Sequence, residues 1–193
     1  MSNTLIVWLM VTNTLAQSVY SICAPFLPRE FELKGLSTGY AGLVFSIYSL
    51  GLIIVSPLVG KTVDRIGHKN IMSGGIGVMG LAYVCFGFIE IMTNRVNIMV
   101  ISIVVRFMHG SANAFLLTTY FTIIANDYPD RKDELQGLFA ATVGLGLAIG
   151  PPLGSVLYSA LGFKFTFFAF GFALFFFAIV LRLCIPERKQ ISR

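Results

Sequence analysis

Charged residues are scarce in this 193-residue sequence, at 12% of the chain against 56% for hydrophobic residues. A soluble domain carries about 25% charged residues, so the composition excludes a soluble enzyme and a soluble DNA-binding module. The cysteines Cys23, Cys85 and Cys184 lie far apart, each in an apolar stretch, which excludes a disulfide scaffold and a cysteine-ligated metal site. The sequence is instead rich in long apolar runs, and its mean hydropathy of +0.82 indicates a membrane protein.

Six apolar stretches can be separated at charged or turn-rich breaks. A helix needs about 20 residues to cross a bilayer, and each stretch is long enough. Because lipid offers the backbone no hydrogen-bond partner, we expect an all-α membrane protein with six transmembrane helices in a single bundle over residues 1–193. Two groups of three spans also match the three-plus-three inverted repeat of transporter halves. The predicted spans are residues 4–27, 38–59, 71–92, 98–124, 135–161 and 163–185.

The net charge of +5 comes from Lys and Arg clusters between the apolar stretches, not from a continuous basic face, so we expect no nucleic-acid partner. With the N-terminus inside, nine basic residues lie on the cytosolic side and four on the opposite side. This asymmetry places both termini in the cytosol and leaves open a vesicular or a plasma membrane. The nine are Lys61, Arg65, Lys69, Arg131, Lys132, Arg182, Arg188, Lys189 and Arg193, and the four are Arg29, Lys34, Arg95 and Lys164.

Two glycine patterns have the spacing of enzyme motifs. The GxGxxG pattern at residues 75–80 lies inside an apolar span, whereas a dinucleotide site needs a preceding strand and a water-facing helix start. Glycines at that place favour close helix packing. The GxSxG pattern at residues 35–39 lacks a partner for Ser37, because His68 is predicted on the opposite membrane face and His109 inside a span. We therefore expect no enzyme, no cofactor and no metal site.

The segment between the second and third spans places alternating charges between glycines that permit a tight reversal. The residues that define its pattern are Gly60, Asp64, Arg65, Gly67 and Lys69. This pattern resembles motif A of the major facilitator superfamily, which in that family latches the two transporter halves together on the cytosolic side. The resemblance implies that these five residues form a cytosolic latch. The alternative is a basic turn that only follows the distribution of positive charge.

The fourth span contains Arg106, about 13 Å from the start of the span at helical rise. Burying an arginine there costs at least about 2.5–3.5 kcal/mol. Arg106 shares a helix face with His109, Gly110 and Asn113. The pattern resembles motif B of the drug/proton antiporter branch, where the arginine is associated with proton transfer. The resemblance implies proton coupling at Arg106 and His109, and the alternative is a structural arginine bonded to neighbouring carbonyls.

The fifth span places Gly146, Gly150 and Gly154 on one face at intervals of four, which lets another helix approach closely. Pro151 and Pro152 remove two backbone donors and are expected to bend the helix. The stretch resembles motif C of proton-coupled antiporters, in which the bent helix packs on the second half of the transporter. We therefore expect this ridge to receive a companion bundle that the chain does not encode.

The first span carries Asn13, Gln17 and Tyr20 at helical spacing, and together with Asn113 they are candidates for binding a polar solute. With the Pro25–Pro28 segment and the glycine run, this span resembles the vesicular amine transporter family, in particular the branch of the vesicular polyamine transporter. The resemblance implies an organic cation or amine as substrate. One departure is that no span has an Asp or Glu near its centre, so acids for cation binding would have to come from a second half.

Six helices make one bundle, whereas alternating access needs two. We expect half of a proton-coupled secondary transporter that exchanges protons for organic cations or amines across a lipid bilayer. The missing bundle could be a C-terminal six-helix half, a second copy of the chain or another membrane subunit. The alternative function is a non-transporting or truncated transporter-like membrane subunit with an assembly or regulatory role.

Overall fold

A computed structural model describes residues 3–185 of the chain, and Arg188, Lys189 and Arg193 lie outside the described residues. Within that range the chain is helical and contains no strand. All five α-helices are long and apolar enough to cross a membrane. They are α1 (Asn3–Leu33), α2 (Gly39–Ile66), α3 (His68–Gly87), α4 (Arg95–Asp127) and α5 (Lys132–Cys184), with short 3-10 turns at Phe88–Ile91 and Pro129–Arg131.

The fifth helix is interrupted at Gly162. Its 53 residues would measure about 80 Å if straight, more than twice the roughly 30 Å of a bilayer core. At Gly162 the backbone leaves the helical region, with φ 74° and ψ −179°, a positive φ that favours glycine. We call residues 132–161 the first arm of α5 and residues 163–184 the second arm.

The two arms pack against different helices and run in opposite directions. In the first arm Tyr158 stacks on Phe26 near the end of α1, with ring centroids 4.7 Å apart. In the second arm the Lys164 amide donates to Glu90 beyond the end of α3, while Gly171 lies deeper, against Val84. The chain thus reverses at Gly162, which supports the predicted fifth and sixth spans, and the number of membrane crossings stays a prediction.

Helix pairing follows a two-fold pattern. The first arm packs on α1 and α2 packs on α4, while the second arm packs on α3. Trp8 of α1 also faces Phe177 of the second arm at 6.2 Å, and Gly75 of α3 lies against Phe115 of α4. If α1, α2 and α3 are exchanged with α4, the first arm and the second arm, respectively, each of these pairs maps onto a pair in the same set. The pairing therefore agrees with the expected three-plus-three arrangement.

The turn between α2 and α3 is shorter than the sequence suggested. Gly60, Asp64 and Arg65 lie in the last two turns of α2, Gly67 alone reverses the chain with φ 89°, and Lys69 is already in α3. The length of an apolar run corresponds to the part of a helix that lies in the hydrocarbon core. The same helix can continue beyond the core with charged turns that lie among the lipid headgroups. The segment between the second and third predicted spans is therefore mostly helical, and its role as a latch stays a prediction.

The four basic residues assigned to the non-cytosolic side lie together at one end of the bundle. Lys34 donates to the carbonyl of Glu90, whose carboxylate accepts the Lys164 amide at the start of the second arm. Arg95 packs on Gly35, and Arg29 lies over the ring of Tyr158 near the same end. The structure thus supports the grouping of these charges, while the side of the membrane that they face stays a prediction.

Candidate functional site

Two glycines bring α2 and α4 into backbone contact. A Cβ on Gly110 would overlap the carbonyl of Tyr48, and one on Gly51 would lie 2.6 Å from the carbonyl oxygen of Phe107. Only residues without side chains permit such a close crossing. This crossing places Tyr48 beside the polar face of α4 that begins at Arg106.

Arg106 is buried in the middle of the bundle, with 1% of its surface exposed. Its guanidinium carbon lies 4.8 Å from the ring centre of Phe45, 5.7 Å from that of Phe86 and 6.0 Å from that of Tyr20. Aromatic faces attract a cation, and they do so more strongly where water is excluded. Side chains from α1, α2 and α3 thus surround this charge on α4.

His109 lies one turn after Arg106 and is equally buried. Its Nδ1 is 3.4 Å from Nη1 of Arg106. The imidazole ring is held edge-on by Tyr48 and Tyr83, with ring centroids 5.1 Å and 5.3 Å away. The predicted neighbours on α4 therefore form one pair, fixed by tyrosines from two other helices.

Several nitrogens of this pair lack partners. Nε and Nη2 of Arg106 and Nε2 of His109 are buried and have no hydrogen-bond partner among residues 3–185. No carboxylate in that range forms a salt bridge with Arg106, and the expected alternative of carbonyl bonding is absent at those two nitrogens. Unpaired buried donors are costly and rare in proteins, which makes this position a candidate functional site.

Asn113 joins the same cluster. Its amide nitrogen donates to the Tyr48 hydroxyl at 2.8 Å, and the Tyr48 ring lies 4.5 Å from that of Tyr20. Tyr20 is partly exposed, whereas Arg106 and His109 are closed off. Four of the predicted site residues are thus brought together, and we call the set of Tyr20, Tyr48, Tyr83, Arg106, His109 and Asn113 the central cluster.

Sequence reasoning missed the contribution of α3. The Tyr83 hydroxyl donates to the backbone carbonyl of Val19 and lies 3.5 Å from the Cys23 sulfur, so it ties α3 to α1. Phe86, one turn later, faces Arg106. The sequence signal for this contribution was a single tyrosine that lies three residues before a phenylalanine in an apolar helix. Aromatic residues that anchor a helix at the membrane interface give the same pattern.

Asn13 and Gln17 lie apart from the central cluster. The Asn13 amide donates to the Thr142 hydroxyl at 2.8 Å and to the Phe139 carbonyl at 3.3 Å, both in the first arm. Asn13 precedes Tyr20 by seven residues, or about 10 Å along the helix, and Gln17 packs beside Gly146. The structure uses these side chains between α1 and the first arm, and their contact with a substrate stays a prediction.

The glycine ridge of the first arm faces α1 of the same chain. A Cβ on Gly146 would lie 2.5 Å from the Thr14 carbonyl oxygen, and one on Gly150 would overlap the Ser21 hydroxyl. Gly154 is likewise buried against α1. The expectation that this ridge receives a companion bundle is wrong, because α1 already fills the groove.

The two prolines between Gly150 and Gly154 do not end the helix. Backbone dihedrals remain helical at Pro151 and Pro152, and within α5 the helical geometry is lost at Gly162 instead. Two glycines of the GxGxxG pattern also serve packing, since a Cβ on Gly75 would lie 3.0 Å from Phe115 and one on Gly80 2.9 Å from the carbonyl oxygen of Gly171. A Cβ on Gly77 would meet no atom within 4 Å, so the packing interpretation is confirmed at Gly75 and Gly80 alone.

Comparisons with known proteins identify the family of the chain. The sequence profile described as Major Facilitator Superfamily matches residues 6–192. The MFS-type transporter SLC18B1 of Rattus norvegicus is 31% identical over 173 residues, which cover 90% of this chain and 38% of that protein. The vesicular acetylcholine transporter of Rattus norvegicus is 28% identical over 170 residues, covering 87% of this chain and 30% of the relative.

The chain also matches less than a third of the length of a human relative. The chromaffin granule amine transporter of Homo sapiens is 29% identical over 153 residues, covering 78% of this chain and 28% of that protein. The chain therefore spans less than two fifths of the length of these relatives. With a profile match over nearly its whole length and helices apolar enough to cross a bilayer, the chain belongs to the major facilitator superfamily of membrane transporters, as a multi-pass protein related to the vesicular amine transporters.

Proposed function

We propose that the chain is one half of a secondary transporter that exchanges protons for organic cations or amines. The observation that carries the proposal is the buried Arg106–His109 pair, a titratable imidazole beside a permanent charge in an otherwise apolar bundle. The relatives whose names specify acetylcholine or amines suggest the class of substrate. The share of those relatives that the chain covers supports its status as a half.

The aromatic side chains of the central cluster suit an ammonium group. Tyr20 and Tyr48 present adjoining rings, and the partly exposed Tyr20 forms the accessible edge of the cluster. Aromatic faces bind ammonium cations without a full negative charge. Because the central cluster contains no carboxylate, the second half supplies the acid for cation binding.

A companion bundle would pack on the face of the first arm that points away from α1. Glycines on this face have open space around them, since a Cβ on Gly137 or Gly144 would meet no atom within 4 Å. Side chains this small favour helix contact over contact with lipid. The exposed small residues at helical spacing on this face are Gly137, Ala141, Gly144, Ala148, Ser155 and Ser159.

Orientation and location complete the proposal. Both termini are cytosolic, with Asp64 and Arg65 at the cytosolic end of α2, where they would latch the two halves. The membrane is that of a vesicle or the plasma membrane. The orientation rests on the distribution of basic residues, and the location rests on the names of the relatives.

The test is a chimera in which this chain replaces its matched segment in rat MFS-type transporter SLC18B1. In proteoliposomes that are acidic inside, we expect the chimera to accumulate tritiated spermidine and to lose that accumulation when nigericin collapses the pH gradient. The chain alone should accumulate none, because a single bundle cannot alternate access.

Two results would refute the proposal. A folded, inserted chimera that moves no spermidine and no tritiated serotonin would favour a non-transporting subunit. Accumulation by the chain alone, with a particle mass in mild detergent that shows two copies, would replace the half-transporter with a self-completing pair.

A further inference from the structure

The contact between Arg106 and His109 determines which imidazole nitrogen carries the proton. A guanidinium has hydrogen-bond donors and no acceptor. Nη1 of Arg106 lies 3.4 Å from Nδ1 of His109, so Nδ1 must accept with its lone pair. The proton of the neutral ring therefore resides on Nε2, which is buried without a partner among the described residues.

We infer that a proton and the Arg106 guanidinium compete for Nδ1 of His109. A proton that binds there occupies the lone pair and turns the imidazole into a donor at both nitrogens. The hydrogen bond to Arg106 is then lost, and two positive charges face each other in a poorly screened interior. One proton is gained, the charge of the pair rises from one to two, no covalent bond between heavy atoms changes, and the two side chains must separate.

The groups around His109 offer no negative charge to hold the doubly charged state. The imidazole faces the rings of Tyr20 from α1, Tyr48 from α2 and Tyr83 from α3, and Cys23 of α1 lies beside Tyr83. These side chains contribute phenols and a thiol, and the second arm contributes the apolar Phe167 behind Tyr83. Within residues 3–185 the side chains that contact His109 therefore include no carboxylate.

This switch supplies a physical reason for exchange, and its role in transport rests on the proposed function. When His109 is protonated, the cluster carries an additional positive charge and repels a cationic substrate at Tyr20 and Tyr48. When the proton leaves, Arg106 returns to Nδ1 and the repulsion falls. Proton and substrate then exclude one another at one place, which is what exchange of protons for cations requires.

The switch can be tested by 15N NMR of the full chain in nanodiscs, labelled on histidine. The chain has only two histidines, and a His68→Gln variant assigns the spectrum. At pH 7.5 we expect the His109 ring to carry its proton on Nε2 and none on Nδ1. A ring protonated on Nδ1 would overturn the inference without any substitution at the site.

Substitution of the guanidinium tests the competition. Arg106→Gln keeps a donor but removes the charge, so at pH 6 the doubly protonated fraction of His109 should rise at least about tenfold over the wild type. Arg106→Lys, the charge-matched control, should keep that fraction low. An unchanged fraction in Arg106→Gln refutes the competition, and if this variant does not fold, the wild-type spectrum decides. A wild-type Nε2–H spectrum with no spermidine transport in the chimera would retain the proton site and reject the transport function.

Discussion

Gly150→Leu is expected to prevent the chain from forming its bundle. The new side chain would start inside the space of the Ser21 hydroxyl and the Ser18 carbonyl, where α1 crosses the first arm. Backbone cannot move aside as a flexible side chain can, so the loss should exceed about 3 kcal/mol. The measurement is the thermal midpoint and the monodisperse fraction of the chain in mild detergent.

Gly144→Leu is the matched control, since it adds the same side chain to the same helix. A Cβ at this position meets no atom within 4 Å, and the change in stability should stay within about 0.5 kcal/mol. Equal damage from both substitutions would mean that α1 does not cross the first arm at Gly150. A stable Gly150→Leu chain would contradict the packing directly.

Arg106→Ala is expected to reduce gradient-driven spermidine uptake by the chimera to the level of empty liposomes. The guanidinium occupies Nδ1 of His109, and without this competitor the imidazole retains its proton, so proton release is no longer tied to substrate binding. The bundle should nevertheless fold, because removing an unpaired buried charge relieves a cost. Uptake is measured with the thermal midpoint of the same preparation.

Two further variants separate coupling from packing. Arg106→Met restores the apolar volume without the charge and should be as inactive as Arg106→Ala. Arg182→Ala, at an exposed position in the last turn of α5, should retain uptake. Full uptake by Arg106→Met would remove the charge from the mechanism.

Spacing along one helix predicted neighbours on that helix better than partners on other helices. The interval of three between Arg106 and His109 correctly indicated a shared face, and the structure shows their contact. The intervals of four along Gly146, Gly150 and Gly154 also indicated a packing face. The predicted partner of that face was wrong, because residue spacing identifies the face of a helix that packs and not the helix that packs against it.

The rest of the central cluster required the tertiary structure. Tyr83 and Phe86 reach the site only because α3 packs on α1 and α4, a relation that no local pattern encodes. The helices α1, α2 and α4 extend beyond the predicted spans, to Leu33, Ile66 and Asp127, because apolar runs report the hydrocarbon core and polar turns extend the helix beyond it. Asn13 and Gln17 were predicted on the same face of α1 as Tyr20. In the structure Asn13 lies about two helical turns from Tyr20 and contacts the first arm, whereas Tyr20 belongs to the central cluster.

Proton movement during substrate uptake tests the account most directly. A pH-sensitive dye enclosed in acidic proteoliposomes that contain the chimera should report loss of internal protons when spermidine is added outside. The loss should saturate with spermidine, and it should be absent with His109→Gln, whose amide lacks a titratable nitrogen. Spermidine uptake without proton loss, or proton loss unaffected by His109→Gln, would contradict coupling through the Arg106–His109 pair.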